Sequence, residues 1–122
     1  MNNKIIKIQK KKNKSKIVSL TAYSKNIAKI LDKYCDIVLV GDSMANVLYG
    51  LNNTHSISIE NIIQHTISVK KGVKNSLLVV DMPKGTYSNS ILAKKNAKHI
   101  MRLTKCDAVK IESNGRNFNI IK

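Results

Sequence analysis

Three short apolar runs each end on a carboxylate, and this pattern constrains the fold more than any other feature of the chain. VLVGDS reaches Asp42, LLVVD reaches Asp81 and AVKIE reaches Glu112. These acids stand out because the chain carries seven acidic residues against 22 basic ones. Since the carboxyl ends of parallel strands meet at one edge of an α/β fold, where ligands bind, we expect the three acids to converge on one site.

Segments with helical spacing of apolar residues separate these runs. After a first strand in KIVSLTAY, residues 24–34 predict a helix. Ser58 is placed to cap a second helix, with Glu60 in its first turn, and residues 90–104 predict a third. Residues 44–56 predict a long loop, and FNIIK predicts the start of a further helix. The order βαβαβαβ with near-continuous apolar strands predicts a parallel α/β sheet with right-handed crossovers.

The spacing of the acids is typical of a (β/α)8 TIM barrel. They recur at intervals of about 30 to 40 residues, close to one-eighth of the roughly 250 residues of a complete barrel. Only about four such units fit in 122 residues. We therefore expect a basic leader over residues 1–15 and the amino-terminal half of a truncated barrel domain over residues 16–122.

The net charge of +15 favours anionic ligands without defining one. A basic leader can bind nucleic acid, yet the chain has no Trp, 4% aromatic residues and no nucleic-acid motif. We interpret the lysines as a solvated surface and expect no nucleic-acid partner. No apolar run approaches the roughly 18 residues of a membrane span, and the charged start does not resemble a signal peptide. We therefore expect no membrane partner and a cytoplasmic location.

The cysteines and histidines show no pattern of a metal knuckle, a disulfide or a catalytic base. Cys35 and Cys106 each precede an Asp that opens a strand, a context typical of small packing residues. Those acids, Asp36 and Asp107, lie at the amino ends of their strands and are left out of the site. Residues predicted to pack or to line loops, rather than to catalyse, are His55, His65, His99, Tyr23, Ser24 and Tyr87.

The end of the fourth strand combines a lysine with an acid. Because side chains alternate along a strand, Lys110 and Glu112 share one face. Placing both charges inward is unfavourable unless they meet a ligand or a metal. Hard cations such as Mg²⁺ take oxygen ligands, which Asp42, Asp81 and Glu112 would supply. The alternative is that the three acids are surface groups that cap helices or pair with lysines.

Five stretches carry a family resemblance in order and in register, from Lys16 to Ser113. They are KIVSLTAYSKNIAKILD, DIVLVGDSMANVLYG, ENIIQHTISVKKG, LLVVDMPKGTY and CDAVKIES. The combination of TAY, VGDS, D-x-P-x-G-x-Y and VKIE is specific, whereas any one of these motifs alone is weak. On these residues the chain resembles the ketopantoate (3-methyl-2-oxobutanoate) hydroxymethyltransferase family.

The resemblance implies a (β/α)8 barrel related to the phosphoenolpyruvate and isocitrate lyase superfamily. It implies transfer of a hydroxymethyl group from 5,10-methylenetetrahydrofolate to 3-methyl-2-oxobutanoate, giving 2-dehydropantoate for pantothenate and coenzyme A synthesis. The implied ligands of Mg²⁺ are Asp42, Asp81 and Glu112. The implied ligands of the keto acid are Asp42, Ser43, Asp81 and Lys110. Full-length members of this family are homo-oligomers.

The chain also departs from the family pattern. The family's general-base glutamate lies in the second half of the barrel, so we expect no catalytic base in these 122 residues. Lys84 occupies a position that is often apolar, and Met44-Ala45-Asn46 follows VGDS where a glycine is common. A half-barrel would expose sheet edges and apolar faces, so we expect low stability alone, or completion by another chain, and no transferase turnover.

Two alternatives remain open at this stage. One is another enzyme of the same superfamily, which forms or cleaves carbon–carbon bonds in a 2-oxo acid. The other is an inactive remnant of the transferase or a basic binding module. A sequence that continues beyond Lys122 would argue against the second alternative.

Overall fold

The computed structural model of the protein describes residues 3–113, 115 and 118–121. Within these ranges helices and strands alternate, and the four predicted strands are confirmed. The helices are α1 (Asn3–Lys10), α2 (Lys25–Leu31), α3 (Met44–Val47), α4 (Ile59–Lys70), α5 (Ser90–Thr104) and α6 (Phe118–Ile121), and the strands are β1 (Ser19–Thr21), β2 (Ile37–Val40), β3 (Leu77–Asp81) and β4 (Ala108–Lys110).

The strands form one parallel sheet in the order β1-β2-β3-β4. Helix α4 packs against β2 and β3 and lies between α2 and α5. The core between helices and sheet includes Val38, Val80 and Ile62, which are fully buried. This is an α/β fold in which consecutive βα units lie side by side, as the sequence predicts. The carboxyl ends of all four strands therefore point the same way.

Helix α4 begins and ends with local devices that the sequence encodes. Ser58 Oγ accepts a hydrogen bond from Asn61 N, and the Asn61 side chain accepts one from Ser58 N, each at 3.1 Å. This reciprocal pair is a capping box and confirms Ser58 as the cap. After the helix, a Cβ built at Gly72 would lie 2.4 Å from the Lys25 carbonyl oxygen. The glycine therefore lets the start of α2 pack directly on the end of α4.

The basic leader forms helix α1 and is tied to the amino ends of the strands. Lys4 Nζ donates to the Ser76 carbonyl oxygen at 2.8 Å, and Lys11 Nζ lies 2.7 Å from a carboxylate oxygen of Asp36. Asp107 accepts from Leu78 N at 2.9 Å. The acids Asp36 and Asp107 thus bind lysines and backbone amides at the amino ends of the strands, whereas the three strand-end acids lie at the carboxyl ends.

The prediction of a loop over residues 44–56 is wrong for the first four of these residues. Met44–Val47 form α3, where Met44 and Ala45 are buried. Four residues are too few to show a helical period, and so short a helix is stabilised by tertiary packing rather than by intrinsic propensity.

The edge strand β1 is exposed along its whole length. Leu20 keeps 47% of its surface exposed, and Ile27 and Ile30 on the adjacent α2 keep 50% and 57%. An open edge with uncovered apolar side chains is what we expect of four parallel strands that do not close on themselves. In the part of the chain that the structure describes, no helix is both long enough and apolar enough to cross a membrane.

Candidate functional site

Strand register brings a lysine and an acid together at the carboxyl end of the sheet. Asp81 and Lys110 are direct partners between β3 and β4. Lys110 Nζ donates to both carboxylate oxygens of Asp81, at 2.9 and 3.0 Å, and to Glu112 Oε1 at 3.1 Å. Asp81 is only 3% exposed, whereas Glu112 faces solvent. The predicted common face of Lys110 and Glu112 therefore carries a three-residue charge cluster.

The electrostatics of this cluster depend on the burial of Asp81. Burial raises the pKa of the Asp81 carboxyl above its usual value, against the opposing effect of Lys110, and the charge of Asp42 raises it further. Burial acts to lower the pKa of Lys110, but hydrogen bonds to Asp81 and Glu112 outweigh it and raise that pKa. Lys110 is therefore the group that opposes the effect of burial on the Asp81 carboxyl.

Ser43 lies beside Asp81 on the adjacent strand end. Gly41 separates them: a Cβ built there would lie 3.0 Å from Ser43 Oγ and 3.8 Å from Asp81 Oδ2. Ser43 Oγ and Asp81 Oδ2 therefore both lie close to the Gly41 backbone. The backbone N–H of Asp42 also donates to Asp81. The residues after β2 and at the end of β3 consequently pack closely around Gly41, where a side chain would crowd the Ser43 hydroxyl.

The Ser43 hydroxyl has a defined partner. Tyr23 Oη lies 2.7 Å from Ser43 Oγ. Ser43 is the N-cap residue of α3, yet its side chain makes no cap hydrogen bond. Its hydroxyl is directed by a residue at the end of β1 instead. Sequence reasoning placed Tyr23 near the site mouth as loop packing and missed this contact.

A cavity of about 870 Å³ opens over the strand ends, with Asp42 and Glu112 in its lining. Its lining also includes His55 and Lys84, whose Nε2 and Nζ atoms lie 3.1 Å apart. Tyr87 also lines it, and burial, followed by the Glu112 charge, raises the pKa of its phenol. The lining of the cavity therefore combines two acids with a lysine. Sequence reasoning did not predict the contact of His55 with Lys84.

All five residues proposed for the site from sequence lie at this end of the sheet. Lys110 contacts both Asp81 and Glu112. Ser43 lies near Asp81 around Gly41, and Asp42 affects the pKa of Asp81 through its backbone N–H and its charge. Among the described residues, no group of three or more Asp, Glu, His or Cys side chains is arranged to hold a metal ion. Lys110 Nζ lies between two of the proposed metal ligands instead.

Fold and charged cluster together define an α/β protein whose charged side chains gather at the carboxyl ends of parallel strands. The sequence matches the model of the family described as Ketopantoate hydroxymethyltransferase over residues 2–122. The chain therefore belongs to the ketopantoate hydroxymethyltransferase family, as its motifs predict.

Several curated relatives agree with this assignment, and each is a 3-methyl-2-oxobutanoate hydroxymethyltransferase by name. The protein of Pelagibacter ubique is 56% identical over 122 residues, which are 100% of this chain and 48% of that protein. The protein of Anaplasma marginale (strain St. Maries) is 46% identical over 88% of this chain and 39% of its own length. That of Brucella canis is 43% identical over 86% and 38%, respectively. The chain thus spans about half the length, or less, of these relatives.

Proposed function

We propose that the protein acts in the reaction for which its relatives are named. A hydroxymethyl group would pass from 5,10-methylenetetrahydrofolate to 3-methyl-2-oxobutanoate, giving 2-dehydropantoate for pantothenate and coenzyme A synthesis. Family membership over residues 2–122 supports the reaction class. The observation that carries the proposal is the contact of Lys110 with buried Asp81 beside Ser43, because it gathers the expected keto-acid ligands at one point.

We further propose that the four βα units are the first half of a (β/α)8 barrel of the phosphoenolpyruvate and isocitrate lyase type. The strand order β1-β2-β3-β4, all parallel, supports this, because barrel strands follow one another in sequence around the axis. The open edge of β1 is consistent with further strands beside it. The cytoplasmic location and the homo-oligomeric assembly expected of full-length members stay predictions.

The donor set suits a hard divalent cation. Asp42, Asp81 and Glu112 offer carboxylate oxygens, the ligand type that Mg²⁺ prefers. The position between Asp81 and Glu112 already holds a positive charge, the ammonium of Lys110, so the local field favours a cation. When bound, Mg²⁺ would act as a Lewis acid that polarises the 2-oxo group and acidifies the neighbouring C–H.

The chain's own residues would bind and orient the keto acid. Ser43 Oγ would donate a hydrogen bond to an oxygen of the substrate. Lys110 would turn from Asp81 toward the negative charge of the 2-oxo acid, for which its long side chain, 39% exposed, has room. None of these residues is assigned as the base that removes the substrate proton. In the family that base lies beyond the segment matched here.

The test is binding of 3-methyl-2-oxobutanoate to the purified chain, measured by calorimetry with and without Mg²⁺. We expect Mg²⁺-dependent binding, weakened at least about tenfold by Asp81→Asn, because the substitution removes the buried charge while keeping the shape. Glu60→Gln, on the exposed first turn of α4, is the control and should leave binding unchanged. Equal binding by Asp81→Asn and the wild type would refute the proposed site. The 122-residue chain alone should show no transferase turnover.

A further inference from the structure

We propose that Tyr23 is a positioning residue, which fixes the Ser43 hydroxyl for the keto acid. This inference rests on the proposed function and extends it to the tyrosine of the TAY motif, to which the resemblance gives no role. Its observational basis is the hydrogen bond of 2.7 Å between Tyr23 Oη and Ser43 Oγ. A serine hydroxyl rotates freely unless a partner directs it, and it can donate to only one acceptor at a time.

The geometry favours one direction for that bond in the presence of ligand. Ser43 makes no side-chain bond to its own helix, so its single proton can serve an acceptor on a ligand. If Tyr23 Oη donates to Ser43 Oγ, the serine proton is left to donate to the keto acid. Tyr23 thereby sets both the position of the oxygen and the side on which its proton lies.

Tyr23 is itself held by helix α4. His65 Nδ1 lies 2.9 Å from the Tyr23 carbonyl oxygen, which can only accept, so Nδ1 carries the proton. In the neutral imidazole Nε2 is then an acceptor, and Tyr49 Oη lies 2.8 Å from it. One turn further along α4, Ser68 Oγ accepts from Lys25 N at 3.1 Å. The segment that carries Tyr23 is therefore anchored at two points, which limits the freedom of its side chain.

Helix α4 thus holds the segment that carries Tyr23 through two side chains. The side chains that do so, His65 and Ser68, project from a helix that is capped at its start and packed against α2 at its end. Positioning through a supporting residue of this kind affects ligand affinity, because a misdirected hydroxyl loses its hydrogen bond to the ligand.

The experiment compares binding of 3-methyl-2-oxobutanoate to the full chain in saturating Mg²⁺, by calorimetry. Tyr23→Phe keeps the ring and removes the hydroxyl, so we expect keto-acid affinity to fall about three- to tenfold. The affinity for Mg²⁺ alone and the thermal midpoint should change little. Tyr34→Phe, at an exposed tyrosine outside the site, is the matched control and should bind like the wild type.

A double-mutant cycle separates positioning from a general structural effect. Ser43→Ala should weaken binding by itself, and adding Tyr23→Phe to it should weaken binding no further than about twofold, because Tyr23 acts through Ser43. In His65→Asn the side-chain amide can replace the Nδ1 donor to the Tyr23 carbonyl oxygen, whereas in His65→Gln the amide lies one bond further out. His65→Asn should therefore bind the keto acid more tightly than His65→Gln.

The outcomes distinguish this inference from the proposed function. Unchanged keto-acid affinity in Tyr23→Phe, beside normal binding by the wild type, would overturn the inference and leave the proposed function intact. Fully additive losses in the cycle, or a parallel loss of Mg²⁺ affinity and thermal stability, would also overturn it. If the wild type binds no keto acid, both the inference and the proposed function are wrong.

Discussion

Replacing Lys110 by Met should destabilise the protein because it leaves the buried Asp81 carboxylate without its ammonium. Breaking a buried ion pair by removing one partner costs about 3–5 kcal/mol. Lys110 is 39% exposed, so solvent screening reduces this, and we expect a loss of about 2 kcal/mol at pH 7. Urea unfolding followed by circular dichroism should show the midpoint falling by roughly 1 M.

The loss should depend on pH in a defined direction. In the variant the pKa of Asp81 should rise further above its unfolded value, because burial then acts without Lys110. The folded state then binds more protons than the unfolded state between the unfolded pKa of about 3.9 and the folded pKa. Stability therefore decreases as pH rises through this window, and Lys110→Met should regain stability as pH falls from 7 toward 4.

Two companion variants test the cause. Asp81→Asn combined with Lys110→Met should restore most of the lost stability at pH 7, because no buried charge remains. Lys84→Met removes a lysine whose Nζ lies 3.1 Å from His55 Nε2 at an exposed contact, and should change stability by at most about 0.5 kcal/mol. A loss in Lys110→Met that is the same at pH 5 and pH 7, and that the second substitution does not relieve, would refute the electrostatic reasoning.

Two further predictions concern the scaffold. Asp32 is 7% exposed and accepts hydrogen bonds from Asn75 N and Ser76 N, which hold the pKa of its carboxyl below the usual value despite burial. Asp32→Ala should therefore lower the free energy of unfolding by about 2–4 kcal/mol at pH 7, measured by urea unfolding. The wild type should lose this contribution as pH falls below about 4. Gly72→Ala should lower the free energy of unfolding by about 2–3 kcal/mol, because the added Cβ would clash with backbone atoms. Gly50 has open space around it but a φ of 64°, so Gly50→Ala should lower that free energy by about 1 kcal/mol. Equal losses at both glycines would contradict the close packing at Gly72.

Local pattern predicts much of the fold because several elements carry their own signals. Helix α5 has the predicted bounds of residues 90–104, since apolar residues recur along its 15 residues and Asn89 caps it. Strands β2, β3 and β4 are largely apolar runs with an acid at or just beyond their ends, and the parallel arrangement then follows from the alternation with helices. Pattern alone also predicts that Lys110 and Glu112 share a face.

Other features depend on contacts between residues far apart in sequence. Helix α1 is held by Lys4 and Lys11 against strand ends that lie up to 103 positions away, so its eight residues give no decisive local signal. The bond between Tyr23 and Ser43 joins residues 20 positions apart, and sequence alone does not specify the turn geometry that brings them together. Ser43 entered the site through family resemblance rather than through any local pattern.

We propose above all that the strand-end acids hold a divalent cation next to the keto acid. Crystals of the protein grown with Mn²⁺ and 3-methyl-2-oxobutanoate, measured at the manganese absorption edge, test it most directly. We expect an anomalous peak bound by the carboxylates of Asp42, Asp81 and Glu112, with Lys110 turned from Asp81 to the keto acid. A peak elsewhere, or a ligand-bound site in which Lys110 still bridges Asp81 and Glu112, would contradict the account.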